Sequence, residues 1–205
     1  MKKSLDEHAE RFSESAAEYD ESQDSPEYRR AADLVVGHAD PNPDETVLDL
    51  GTGTGAIAFG LADEAGSVIG RDISEGMLEE ATRKATERGV DSVEFGVGRF
   101  REPNVSRDVD IVTTNFAMHH LGDDEKRAAI EVIAGLGPRR IVLGDVMFFG
   151  TPDPDEPFYS PEVDDPATVG VLADAFTSQG YALTAVELIA EQVGVLVAEQ
   201  GEQTA

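Results

Sequence analysis

The chain has 205 residues, no cysteine and a formal net charge of −26, from 42 acidic and 16 basic residues. With 40% hydrophobic and 28% charged residues, it reads as one globular domain long enough to bury a full core. This composition excludes disulfides, thiolate metal sites and cysteine nucleophiles, and no apolar run is long enough for a membrane span. The start Met1–Glu7 turns acidic before any apolar segment, unlike a secretory signal, so the expected location is cytoplasmic. Only Lys2, Lys3, Lys84 and Lys126 are lysines, and the acids are scattered over every segment. Self-repulsion at this charge opposes a compact state unless molar salt shrinks the Debye length to about 3 Å. The expected source is a halophile with a high-salt interior, and the acidity then says little about a nucleic-acid partner.

Residues 5–38 have helical spacing, with Phe12, Ala16, Tyr19, Ala31, Leu34 and Val35 among the apolar positions and a break at Ser25-Pro26. Residues 1–40 read as a helical cap within the same domain as residues 41–205. After the rigid turn at 40–44, a short strand over 46–50 leads into a glycine-rich turn and a helix over about 55–65. A second strand covers 67–72. Ser74 caps a helix that buries Met77, Leu78, Ala81 and Ala85 and stops at Gly89. Strands follow at 92–97 and 110–114, then a helix capped by Asp123 or Asp124, then a strand at 140–145. The loop 150–166 is rich in proline and acid. A helix over about 167–179 precedes two strands, 181–189 and 193–199, close enough to form a hairpin. Strand–helix alternation ending in a hairpin predicts an α/β fold: a mostly parallel sheet with an antiparallel edge and helices on both faces.

The most specific feature is Val47-Leu48-Asp49-Leu50-Gly51-Thr52-Gly53-Thr54-Gly55. Glycines let the backbone turn tightly and approach a ligand, and the turn opens a helix N-terminus that favours negative charge. Asp49 ends the strand, where a carboxylate repels a pyrophosphate and attracts an ammonium. The spacing is GxGxG rather than the GxGxxG of dinucleotide sites. Asp72 ends the second strand, where an acid accepts both hydroxyls of a ribose. A ligand with an ammonium, a carboxylate and a diol fits these demands, and S-adenosylmethionine (SAM) is such a ligand.

The segments VLDLGTGTG (47–55), IGRDIS (69–74), VEFGVGRF (93–100), DIVTTNFAMHHL (110–121) and RRIVLGDVMFF (139–149) resemble class I SAM-dependent methyltransferases, especially their small-molecule branch. The resemblance implies a Rossmann-like seven-stranded sheet in the order 3-2-1-4-5-7-6 with strand 7 antiparallel. It places Asp49 and Gly51 near the methionine moiety, Gly53 and Gly55 in the turn and Asp72 on the ribose, with Thr52 also a cofactor-binding residue. Ile73 and Met77 fall on the adenine side, Asn115 beside the methyl group, and Tyr19 in a cap over the cofactor. Relatives often carry Gly-Asp after strand three, the acid binding adenine. Here Gly98-Arg99-Phe100 stands in its place, and arginine cannot accept that hydrogen bond. Arg71 replaces an apolar residue before the ribose acid and reads as solvent-facing.

Methyl transfer needs proximity, orientation and, for a protonated acceptor, a base, so the acceptor is poorly encoded. It is expected to be a small molecule or a component of the translation machinery. The tetrad Asn115-Phe116-Ala117-Met118 lacks the prolines of exocyclic-amine and glutamine methyltransferases. His119 and His120 are the best candidates for a base, although a histidine at a strand end is more often satisfied structurally. No residues have metal-ligand spacing. The loop 150–166, with Phe158 and Tyr159, either closes the acceptor site or is a solvated acidic loop. Strand 93–97 is expected at a sheet edge with Val93, Phe95 and Val97 pointing outward. The resemblance permits a small zinc-binding methyltransferase-activator protein to pair with it. Two rival functions stay open: a nicotinamide-dependent oxidoreductase, opposed by Asp49 and the GxGxG spacing, and a non-catalytic SAM-binding module, supported only by Gly98-Arg99.

Overall fold

The computed structural model describes residues 5–22, 25–151 and 158–201. The N-terminal stretch forms α1 (Leu5–Ser15), a 3-10 turn (Ala16–Glu18), α2 (Tyr19–Ser22) and α3 (Pro26–Ala39). Ser25 starts α3 by accepting the Tyr28 N–H at 3.1 Å, with Pro26 in the first turn. The alternating part contains β1 (Thr46–Leu50), α4 (Ala56–Leu61), β2 (Ser67–Asp72), α5 (Glu75–Arg88), β3 (Val93–Val97), β4 (Ile111–Asn115), α6 (Asp123–Gly135) and β5 (Arg140–Phe148). It ends with β6 (Ala167–Thr168), α7 (Val169–Ser178), β7 (Tyr181–Ala190) and β8 (Val193–Gln200).

The strand order is β3-β2-β1-β4-β5-β8-β7, with β8 antiparallel to both neighbours. This is the expected seven-strand order plus one addition: the two-residue β6 pairs parallel with β5. Residues 167–168 therefore open as strand, and Thr168 caps α7 through Val171 N–H at 3.2 Å. The helix after the glycine turn is shorter than expected. The helix α6 begins at Asp123 itself, preceded by Gly122, whose N–H is held by the Glu125 carboxylate at 3.1 Å.

Successive residues of the central strands point to opposite faces, so each face carries its own core. Leu48, Leu50, Val112, Ile141, Leu143 and Leu196 pack with Ile130 and Ile133 of α6 and Leu172 and Phe176 of α7. Val47, Val68, Ile111, Val142, Val195 and Val197 pack with Ala31 and Val35 of α3 and Ile57 and Leu61 of α4. Both faces being covered explains why β1, β4 and β5 are buried along nearly their whole length.

Two orientations differ from the sequence reading. Arg71 is buried, not solvent-facing: its guanidinium pairs with Glu94 at 2.6 Å and reaches the Asn104 carbonyl at 3.3 Å. At the β3 edge, Val93 and Phe95 are half-buried, with Phe95 edge-on to Phe59 at 5.7 Å, while Val97 is 48% exposed. Phe95 turns inward because Gly70 on β2 leaves room for it.

A Cβ at Gly70 would lie 2.5 Å from the Phe95 ring and 2.9 Å from Thr52 Oγ1. Gly70→Ala is therefore expected to destabilise the fold by about 1–3 kcal/mol through overpacking, read from urea denaturation midpoints. An unchanged midpoint would show that the Phe95 ring yields freely.

Candidate functional site

The turn 51–55 is held by backbone bonds before any ligand arrives. Gly51 and Thr52 N–H donate to the Arg71 carbonyl at 2.8 and 3.1 Å, tying the turn to β2. Gly51 has φ +70, and a Cβ there would sit 2.4 Å from Ala117 Cβ, so glycine allows the two loops to touch. Gly55 has φ +92 and starts α4; its missing Cβ makes space for Phe59 and Phe95 rather than for a ligand.

A cavity of about 460 Å³ lies over this turn, at the carboxyl ends of β1, β2 and β4. Tyr19, Gly51, Thr52, Gly53, Asp72, Ile73, Met77, Gly98, Arg99, Phe100 and Asn115 line it. Asp49 and Gly55 do not. Sequence reasoning missed Phe12, Tyr28, Thr54, Arg101 and Phe116, which also form its wall. The aromatic spacing of the N-terminal helices was the available signal for Phe12 and Tyr28. Phe116 sits at φ 51, an uncommon conformation for a side-chain-bearing residue, and its ring packs at a tilt against Tyr28 at 5.2 Å and Phe158 at 6.4 Å. Phe158 thus brings the end of the proline-rich loop near the cavity, whereas residues 152–157 of that loop lie outside the described residues.

Asp49 lies beneath the turn, not in the cavity wall. Its Oδ2 accepts the Thr52 hydroxyl at 2.6 Å and its Oδ1 the Thr113 hydroxyl at 2.9 Å. Burial pushes its carboxyl up to about 6, against the pull of these two hydroxyls. The sequence reading set the carboxylate against the ligand; instead the Thr52 and Thr113 hydroxyls occupy its oxygens. Asp72 does face the cavity. Its oxygens accept Gly53 N–H at 2.8 Å and Ser74 N–H at 2.9 Å, and burial raises its pKa. Burial also raises the Tyr19 phenol and pushes Tyr28 up to about 12, so both stay neutral donors. Asn115 is buried at the end of β4, with its side-chain amide close to the Tyr28 phenol.

The N-terminal helices close the cavity from above. Asp20 accepts the Thr54 hydroxyl at 2.5 Å and pairs with the buried Lys84 of α5. Ser13 Oγ lies 2.9 Å from Ser74 Oγ.

The two histidines separate. His119 is buried and outside the cavity wall; Asp145 of β5 takes its N–H at 2.9 Å and its Nδ1 at 2.5 Å. Burial opposes charge on His119, but the Asp145 carboxylate outweighs it and raises the pKa. His120 lines the cavity, with Nδ1 2.7 Å from Asp164 Oδ1, and burial drives it down to about 4. No metal-ligand spacing was visible in the sequence, yet the fold brings ligand atoms of His119, His120 and Asp164 within 4.8 Å of one another.

Comparison with known proteins agrees with this geometry. Residues 47–136 match the family described as "Methyltransferase domain". Aklanonic acid methyltransferase DauC of Streptomyces sp. (strain C5) is 37% identical over 103 residues, 48% of this chain and 45% of that protein. A DhpI–SAH complex superposes with a TM-score of 0.75 at 22% identity, covering 97% of this chain and 98% of the other. A complex of the Haloferax volcanii Trm112 methyltransferase activator with a methyltransferase gives 0.76 at 18% identity, covering 93% and 98%. These structural likenesses establish the fold. The chain spans 32, 45 and 54% of the length of the first curated relatives it matches. Residues 47–136 therefore match a methyltransferase domain, set in a chain whose fold is that of SAM- and SAH-bound methyltransferase structures.

Proposed function

We propose that the whole chain is a SAM-dependent methyltransferase whose acceptor is a small molecule or a component of the translation machinery. The observation that carries this reading is Asp72: a buried carboxylate, fixed by two N–H groups, facing the same cavity as the glycine turn. The residues present fit the cofactor. Asp72 has lone pairs left for the ribose hydroxyls. Ile73 and Met77 offer an apolar wall to adenine, and Arg99 a guanidinium plane to stack on it. The buried amide of Asn115, in the cavity wall, suits the methionine end, and the Asp49 charge beneath Thr52 suits its ammonium.

When bound, the cofactor supplies an electrophilic methyl group on a sulfonium, and the by-product is S-adenosylhomocysteine (SAH). The chain's task is positioning and exclusion of water. Residues 1–40 act as a cap in which Phe12, Tyr19 and Tyr28 cover the cavity and the Asp20–Thr54–Lys84 contacts hold it shut. The acceptor enters beside Phe116 and Phe158, and its proton leaves toward the His119–His120–Asp164 cluster. His120 faces the acceptor, and His119 is a positioning residue held by Asp145. We further propose that the chain works in a high-salt interior, on the strength of its −26 charge and scarcity of lysine, and in the cytoplasm. Among the described residues no helix is long and apolar enough to cross a membrane. The β3 edge, unpaired by any further strand among the described residues, is proposed to receive a small zinc-binding activator. The Haloferax volcanii complex, with a methyltransferase of the same fold, supports that pairing.

SAH is expected to raise the melting temperature and NAD to leave it unchanged, with Tm itself rising as KCl is taken from 0.1 M to molar levels. Asp72→Ala should lose the SAH shift; its retention would remove the ribose role. The pH response follows from Asp49. Its pKa lies above the ordinary carboxylate value of 3.8, so the folded chain takes up a proton between about pH 4 and 6 that the unfolded chain does not. Asp49 thus favours the empty fold as pH falls through that window, whereas the ligand's ammonium requires the charged carboxylate. SAH affinity is expected to drop about tenfold between pH 7 and pH 5, and Asp49→Asn to flatten that slope, both measured by calorimetry. Tritiated SAM incubated with extract of a deletion strain should label a small-molecule, RNA or protein fraction. The same extract, passed over immobilised chain, should yield a small zinc protein that Val97→Lys fails to retain. No labelled fraction would reduce the chain to a binding module.

A further inference from the structure

The His119–His120–Asp164 cluster is assembled with more care than a proton acceptor needs. One turn of 3-10 helix, Met118–His120, places both imidazoles side by side, with centroids 4.0 Å apart. Asp145 holds His119 by its backbone N–H and by Nδ1, which makes Nε2 the nitrogen with the lone pair. That Nε2 lies 4.0 Å from Asp164 Oδ1, too far for a hydrogen bond. His120 Nδ1 lies 2.7 Å from the same oxygen. Asp164 uses its other oxygen to accept Ser160 N–H at 2.8 Å, which leaves Oδ1 turned to the histidines.

The three ligand atoms lie within 4.8 Å of one another. Ligands about 2.0–2.2 Å from one metal stand roughly 3–4 Å apart, so an ion would replace the 2.7 Å hydrogen bond between His120 and Asp164 and draw the rings slightly together. A carboxylate on the far nitrogen of a ligating histidine is the usual outer partner of such a site, and Asp145 occupies that place. The electrostatics agree. Asp145 and Asp164 are 3% and 8% exposed, so two carboxylates are buried against the imidazole pair. Two imidazoles and one carboxylate select a borderline transition metal rather than magnesium or calcium, which favour all-oxygen shells. We propose that His119 Nε2, His120 and Asp164 bind one divalent transition-metal ion of the zinc, cobalt or iron(II) kind, with Asp145 orienting His119. His120 is part of the cavity wall, so open positions of the ion face the acceptor end. The site stands on these residues alone; only its use in catalysis rests on the methyltransferase reading.

The test is a visible-range titration of the chelator-treated full chain with Co²⁺ in molar KCl, with the SAH melting shift recorded on the same sample. One equivalent of Co²⁺ is expected to produce a saturating ligand-field spectrum that Zn²⁺ displaces. His120→Gln and Asp164→Asn should abolish it, and Asp145→Asn should weaken Co²⁺ affinity by about tenfold or more. Circular dichroism checks that each variant is folded; His120, at the cavity face, is the substitution least tied to the core. Absence of a stoichiometric spectrum in the native chain, or affinity unchanged in folded His120→Gln, would overturn the site. An SAH shift without Co²⁺ binding refutes the metal and leaves the methyltransferase reading standing; Co²⁺ binding without an SAH shift does the reverse.

Discussion

A carboxylate removed from water at the end of a central strand is costly unless its oxygens are satisfied. At Asp49 the satisfaction comes from two hydroxyls on different elements, Thr52 in the glycine turn and Thr113 on β4. The pair of bonds therefore does more than solvate a charge: it fixes the turn against the neighbouring strand. Gly51 and Thr52 add bonds to β2 through the Arg71 carbonyl, and Gly53 adds one through Asp72. Three strand ends and one turn become a single rigid wall. The negative charge under that wall is poor support for a diphosphate and good support for a zwitterion with a cationic end. A site whose chemistry is mostly positioning depends on this rigidity, because a displacement reaction tolerates little misalignment.

The opposite wall is built differently. It consists of Phe12, Tyr19 and Tyr28 from the N-terminal helices, joined to the main body by polar contacts: Asp20 to Thr54 and Lys84, Ser13 to Ser74. Aromatic rings exclude water from the cavity, and a few polar contacts can be broken and remade at modest cost. A rigid floor under a latched aromatic roof suits a ligand that is sealed from water once bound.

The floor was legible in the sequence, and of the roof only the helical cap and Tyr19 were, Phe12 and Tyr28 being missed. A glycine that must approach another backbone, or an acid that must end a strand beside a turn, is local information, and Gly51, Gly53 and Asp72 fall in the cavity wall where the pattern placed them. Asp49 was legible as a residue but not in its contact, because Thr113 lies 64 positions away in the chain. The same limit applies to the histidines. Nothing in Met118-His119-His120 says which ring enters the core; Asp145 and Asp164 decide it after folding. Arg71 looked like a surface residue until β3 supplied Glu94 beside it. Sheet order was recoverable because alternation and a closing hairpin leave few topologies. The two-residue β6 was not, since two residues carry no period.

Charge scarcity gives those long-range contacts their weight. With 16 cations against 42 acids, a cation spent on a random surface pair is one withheld from the frame. Arg139 holds Glu45 at 2.6 Å and the Asp40 carbonyl at 3.1 Å. Arg140 holds Glu199 at 2.9 Å and the His38 and Ala39 carbonyls at 3.0 and 3.2 Å. Together they close the end of α3, whose last carbonyls have no helical partner, and bind it to β5, β8 and the strand that carries Asp49. Lys84 and Arg71 do similar service at the latch and at β3. Surface repulsion fades as salt screens it, but partly buried pairs with backbone acceptors are screened far less. The excess acid can therefore be tolerated in concentrated salt without loosening the joints that hold the glycine turn in register.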